Sequence, residues 1–170
     1  MDLKKTIRDI PDFPKPGIIF KDITTMLGDP DALRYCVDKM SEYAKSCVAE
    51  VVVAAESRGF IFGMPIAYKL GIPFVPIRKP GKLPSKTYKA TYDLEYGTDS
   101  LEIHQDAFAG GKKVLIVDDL LATGGTTGAM VELVKKIGGN VCGVAYVIEL
   151  TFLDGRKKLP GLDVFSLITY

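Results

Sequence analysis

Apolar residues along this chain gather in short runs parted by polar, glycine-rich stretches. The run Val51-Val52-Val53-Ala54-Ala55 has no polar alternation, which is the pattern of a strand covered on both faces and hence of a parallel sheet. Comparable runs at 72–77, 114–117, 141–148 and 164–168 predict four more strands. Helical spacing fills the intervals. Asp29-Pro30 supplies a cap and a proline at the first helical position, after which Leu33, Val37, Met40, Ala44 and Cys47 recur on one face. Residues 60–70 read as a second helix closed by Gly71, with Pro65 in its first half. Residues 127–137 read as a third, with Met130, Leu133, Val134 and Ile137 on one side and Gly138 at its end. Strands alternating with helices predict an α/β fold: a doubly wound, mainly parallel five-stranded sheet with flanking helices. Ligands of such sheets sit at the carboxyl ends of the strands, here after Val53, Ile77 and Val117.

Two stretches stand outside this rhythm, although residues 1–170 read as a single domain. The front segment, 1–28, is too proline-rich around Phe13-Pro14-Lys15-Pro16-Gly17 for a helix. The middle segment, 80–106, is polar, rich in Gly, Pro, Lys and Tyr, and too long for a passive connection. Within it TYKATYDLEY and LEIH, separated by GTDS, are expected to pair as a flexible β-hairpin over the site.

Composition narrows the function classes. Lys plus Arg total 22 against 21 Asp plus Glu, a net charge of +1, so no global field gathers nucleic acid or an anionic membrane, and any anion site is local. Cys36, Cys47 and Cys142 are widely separated and odd in number, which argues for buried thiols in a reducing compartment. With no secretory-type apolar stretch and no run near the ~18 residues that span a bilayer, a soluble, cytoplasmic protein is expected. His104 is the only histidine, has no Ser or Cys partner at recognisable spacing, and reads as a hairpin residue.

The chemistry concentrates at VLIVDDLLATGGTTGA, residues 114–129. After the strand come Asp118-Asp119, then Ala122-Thr123-Gly124-Gly125-Thr126 directly before a helix. Two glycines permit a bend in which backbone N–H groups converge, the threonine hydroxyls add donors, and the helix N-terminus adds partial positive charge. The result is a phosphate cradle. It lacks the GK[ST] ending of a nucleotide-triphosphate loop and is not GxGxxG. Two carboxylates beside a phosphate repel it unless something between them donates hydrogen bonds, and the vicinal hydroxyls of a ribose do so. One of the aspartates is also placed to orient a water of a bound Mg²⁺. The plainer alternative is a strand–loop–helix junction with Asp as cap and Gly for geometry; the complete pattern favours function.

Strand, acidic pair, TGGT-like loop and helix together resemble the type I phosphoribosyltransferases. The resemblance covers almost the whole chain and narrows to that family's adenine branch, because FPKPGIIFKDIT, SRGFIFG, IRKPGKLP, YDLEYGTDSLEIH and IVDDLLATGGT occur in that branch's order, up to FSLITY. It implies a transferase, a homodimer, that joins adenine to 5-phospho-α-D-ribose 1-diphosphate (PRPP), giving AMP and diphosphate in purine salvage. Mg²⁺ would arrive with the diphosphate and keep several waters, with no protein metal cage.

The resemblance also distributes roles. Asp118 and Asp119 would hold the ribose, and Ala122, Thr123, Gly124, Gly125 and Thr126 its 5′-phosphate. Ser57, Arg58, Lys79, Lys82 and Tyr96 would hold the diphosphate, although alone Arg58 is a surface ion pair and Arg78-Lys79-Pro80-Gly81-Lys82 a solvated face. Glu95 would handle a proton on the purine imidazole ring. The front segment would act as a base-recognising hood: Phe20 and Leu120 stack on the purine, the Ile19 backbone reads its edge, and Lys21 stands where the branch often has arginine, keeping the charge without the planar fork. Two alternatives stay open: transfer to a 6-oxopurine, for which IELTFLDGRKK shows no obvious contact lysine, and a non-catalytic sensor of the phosphorylated sugar.

Overall fold

The computed structural model describes residues 1–93 and 97–170. Its central sheet has five strands, β3 (Val51–Ala55), β4 (Phe74–Ile77), β7 (Lys113–Leu121), β8 (Asn140–Glu149) and β9 (Val164–Thr169), in the order β4-β3-β7-β8-β9. Every pairing within it is parallel. All five residues of β3 are buried, as its unbroken apolar run predicts.

Helices cover both faces. On one lie α2 (Pro30–Ser46) and α3 (Arg58–Leu70), whose Met40, Ala44, Phe62 and Ile66 pack on Leu115, Val117, Ala145 and Val147. On the other lies α4 (Gly125–Lys136), whose Met130, Leu133 and Val134 meet Val114, Ile116, Val144 and Tyr146. Alternate residues of one strand thus feed opposite cores. The cap expected at Asp29 is present, its carboxylate accepting from the N–H groups of Asp31 at 3.0 Å and Ala32 at 3.2 Å. Pro65 sits inside α3 without ending it. The second strand is shorter than its apolar run, starting at Phe74 rather than Ile72, because Ile72 N–H still bonds back to Ala67 at the end of α3.

The front segment forms an antiparallel pair, β1 (Arg8–Pro11) with β2 (Ile19–Asp22), followed by the short helix α1 (Thr24–Leu27). The middle segment forms a second pair, β5 (Thr87–Asp93) with β6 (Thr98–His104), in which Asp93 opposes Thr98. Thr98, Asp99 and Ser100 are therefore strand residues, not the turn expected of them. Ala90, Leu101 and Ile103 are buried with the α4 side of the core, and Arg78 and Glu102 exchange backbone hydrogen bonds of 3.0 and 2.7 Å. The base of this hairpin is consequently built into the domain. No helix among the described residues is long and apolar enough to cross a membrane.

Candidate active site

The strand order reverses between β3 and β7, and open α/β sheets bind ligands outside the carboxyl ends of strands at such a point. A cleft of about 430 Å³ lies there, its walls including Ser57, Arg58, Lys79, Asp118, Asp119 and Leu120. A hollow of about 60 Å³ opens within the glycine loop beside it, lined by Ala122, Thr123, Gly124, Gly125 and Thr126.

Both aspartates belong to β7 rather than to the loop after it. The ladder with β8 runs on through Asp118 opposite Tyr146 to Leu121 opposite Glu149, so the strand outlasts its apolar run by four residues. Asp119 is 3% exposed, and its Oδ2 lies 3.0 Å from Arg58 Nε. Asp118 keeps part of its surface in the cleft, and its Oδ1 accepts the Asp119 N–H at 2.9 Å. A Cβ on Gly59 would stand 3.0 Å from that same Oδ1. Glycine there lets the first turn of α3 close on β7 and deliver Arg58 to Asp119.

Burial and then the Asp119 carboxylate push Asp118 well above the usual carboxylate range. Burial also raises Asp119, opposed by the Arg58 guanidinium. A carboxyl raised in the folded state favours folding below its unfolded value, about 3.9, and loses that contribution as pH rises through the folded value. Ligand-free Asp118→Asn is therefore expected to melt at a higher temperature than the parent at pH 7, with the gain shrinking towards pH 4. Thermal unfolding at both pH values checks this, and a gain equal at both would defeat it.

The glycine loop takes its shape from Gly124, which caps α4 at φ +82°, a region costly for side chains. One turn on, Thr127 and the fully buried Tyr146 share a hydroxyl hydrogen bond of 2.5 Å.

Opposite stand the cations. Glu56 accepts the Lys79 N–H at 2.7 Å and lies 3.2 Å from Arg78 Nε. Burial acts to raise Glu56, but the Lys79 and Arg78 contacts outweigh it and hold the carboxyl below its usual range. The Lys79 ammonium is paired with Asp99 on β6, which also accepts from Tyr92 at 3.3 Å. Lys82 is exposed and does not line the cleft.

The hood comes to the cleft through Phe20, whose centroid is 5.6 Å from the Arg58 guanidinium carbon and 5.2 Å from that of Phe13. Leu120 is in the cleft wall, whereas Ile19 is 57% exposed. Lys21 points elsewhere: its ammonium is 2.8 Å from Asp9 and 3.9 Å from the Tyr170 ring centroid, a brace between hood and final strand. Glu95 and Tyr96 lie outside the described residues. Glu56 and Tyr92 in the cleft wall and Asp99 on Lys79 are site residues that the sequence reading does not pick out; Asp99 faces Tyr92 only once the hairpin register is known.

Among the described residues no three His, Cys, Asp or Glu side chains converge as a metal site. The acidic pair offers carboxylate oxygens to a hydrated cation entering with an anionic ligand, which suits a metal that keeps its waters.

A phosphoribosyl transferase domain matches residues 32–161. The chain belongs to the phosphoribosyltransferase family. Over its full length it is 58% identical to the adenine phosphoribosyltransferase of Crocosphaera subtropica, all of which it covers. Among solved structures, adenine phosphoribosyltransferase from Thermoanaerobacter pseudethanolicus superposes with a TM-score of 0.96 at 54% identity, with 99% of this chain and 98% of that one covered. The Saccharomyces cerevisiae enzyme, complexed with an imino-altritol bisphosphate and adenine, gives 0.93 at 40% identity over 98% of this chain and 96% of that one. Within the family, this phosphoribosyltransferase is thus similar along its whole length to the adenine branch.

Proposed function

We propose that this phosphoribosyltransferase joins adenine to PRPP, giving AMP and diphosphate, in purine salvage. The observation that carries the reading is the acidic pair in the cleft wall set beside a glycine loop at the switch point, in a chain alike from end to end to adenine phosphoribosyltransferases.

On this reading the bond from C1′ to the diphosphate oxygen breaks and the bond from C1′ to N9 forms, through an oxocarbenium-like state. Asp118 and Asp119 accept from the ribose hydroxyls, and the N–H groups and hydroxyls of residues 122–126 receive the 5′-phosphate. Arg58, Lys79 and Lys82, with Ser57 and Tyr96, take the charge that develops on the departing diphosphate. The purine lies against Phe20 and Leu120, its edge read by the Ile19 backbone, while Lys21 supports the hood from behind. Glu95 handles a proton on the imidazole ring as N9 becomes bonded. Mg²⁺ carried in on the diphosphate would neutralise part of its charge, with Asp118 or Asp119 meeting it through water. Likeness to the family supports a homodimer, which sedimentation equilibrium tests.

The decisive experiment incubates the protein with PRPP, Mg²⁺ and each purine in turn. AMP from adenine alone is the expected product. Exclusive formation of IMP, GMP or XMP would move the specificity to a 6-oxopurine, and tight PRPP binding without turnover would make the protein a sensor.

A further inference from the structure

The stretch IELTFLDGRKK leaves β8 and contributes nothing to the reaction as described, yet it lies directly behind the glycine loop. A Cβ on Gly124 would stand 2.5 Å from the Gly155 carbonyl oxygen, and a Cβ on Gly155 would run into the carbonyl oxygen of Ala122. Loop and turn therefore approach backbone to backbone, with the Leu121 and Lys158 side chains packed beside the contact, so a displacement of one is passed to the other.

The turn itself is held. Asp154 adopts φ +56°, and its N–H reaches the Thr151 carbonyl at 3.1 Å. Arg156 then forks onto Glu149, Nε to Oε1 at 2.6 Å and Nη2 to Oε2 at 2.7 Å. Glu149 is 4% exposed and also accepts from Ser166 at 2.7 Å. Moreover, Glu149 is the sheet partner of Leu121, the residue that opens the loop, and the next N–H, that of Leu150, bonds to the Leu121 carbonyl at 2.9 Å. One segment thus grips the loop twice: through the sheet at its root, and through Gly155 at its crown.

We infer that Gly155, Arg156 and Glu149 form a buttress that positions the glycine loop and sets its grip on the substrate's 5′-phosphate. Arg156 acts as a positioning residue: it is held by two hydrogen bonds at fixed angles, a geometry lysine cannot reproduce. An ion pair with one half-exposed partner is weak evidence for stability as such, whereas a cradle of several N–H donors aimed at one phosphate loses affinity when displaced by a fraction of an ångström. The inference rests on reading residues 122–126 as the 5′-phosphate site, and the test separates the two.

Calorimetric titration of the parent, Gly155→Ala, Arg156→Ala and Arg156→Lys with ribose 5-phosphate and, separately, inorganic diphosphate makes the comparison. Gly155→Ala and Arg156→Ala are expected to weaken ribose 5-phosphate by about ten- to a hundredfold, with diphosphate changed by less than about twofold and Arg156→Lys in between. Steady-state kinetics should show the KM for PRPP raised and kcat nearly kept. Unaltered ribose 5-phosphate affinity in Gly155→Ala would overturn the buttress, as would equal losses for both probes. A parent protein that binds diphosphate but not ribose 5-phosphate would remove the reading of the loop, and the buttress with it.

Discussion

The double variant Asp118→Ala/Asp119→Ala is expected to lose about 10²–10⁴-fold in kcat/KM for PRPP, since two hydrogen bonds to carboxylates, each worth about 1.5–3 kcal/mol, disappear together at 1.4 kcal/mol per factor of ten. The charge also matters. On the proposed reading, negative charge held by the pair beside C1′ favours positive charge developing on the sugar ring, so the deficit should persist in kcat at saturating PRPP instead of residing wholly in KM. Loss of Asp119 further frees Arg58 from its ion pair at 3.0 Å. Initial rates across PRPP concentrations, with circular dichroism to confirm folding, give the measurement. A variant within tenfold of the parent would mean that the ribose is held elsewhere.

Glu95→Ala is expected to lower kcat by about 10²–10⁴-fold, the range for a positioned acid or base, while leaving the KM for PRPP within a fewfold. The assignment comes from likeness to the family, and Glu95 belongs to the stretch that joins the paired strand ends Asp93 and Thr98. Because the lesion affects the base rather than the sugar, the two variants should differ in kind. Unchanged turnover in Glu95→Ala alongside collapse in the aspartate variant would remove the proton-handling role and leave the sugar site standing.

Hydrophobic patterning revealed the central sheet well, because a parallel strand covered on both faces has no polar positions to confuse its reading, as at Val51–Ala55. It ended β7 too early for the same reason. Asp118 and Asp119 are polar yet pair in the sheet through Leu121, a continuation dictated by the neighbouring strand and invisible in local composition. The hairpin turn was misplaced at GTDS, since Gly, Asp and Ser signal turns by propensity whereas the pairing is fixed by burial of Ala90, Leu101 and Ile103. The glycine loop was legible because its chemistry is contiguous. The Arg156 fork was not: Glu149, Arg156 and Ser166 meet only after the chain has added its last strand.

Arg58 and Lys79, in the cleft wall, are already engaged with carboxylates of the same chain, Asp119 and Asp99, and Arg78 next to Lys79 is engaged with Glu56. On the proposed reading a diphosphate does not enter a bare positive hole; it takes the place of internal anions that resume their places when it leaves. Such built-in competitors temper affinity for the departing product, so the site is furnished in advance for letting go.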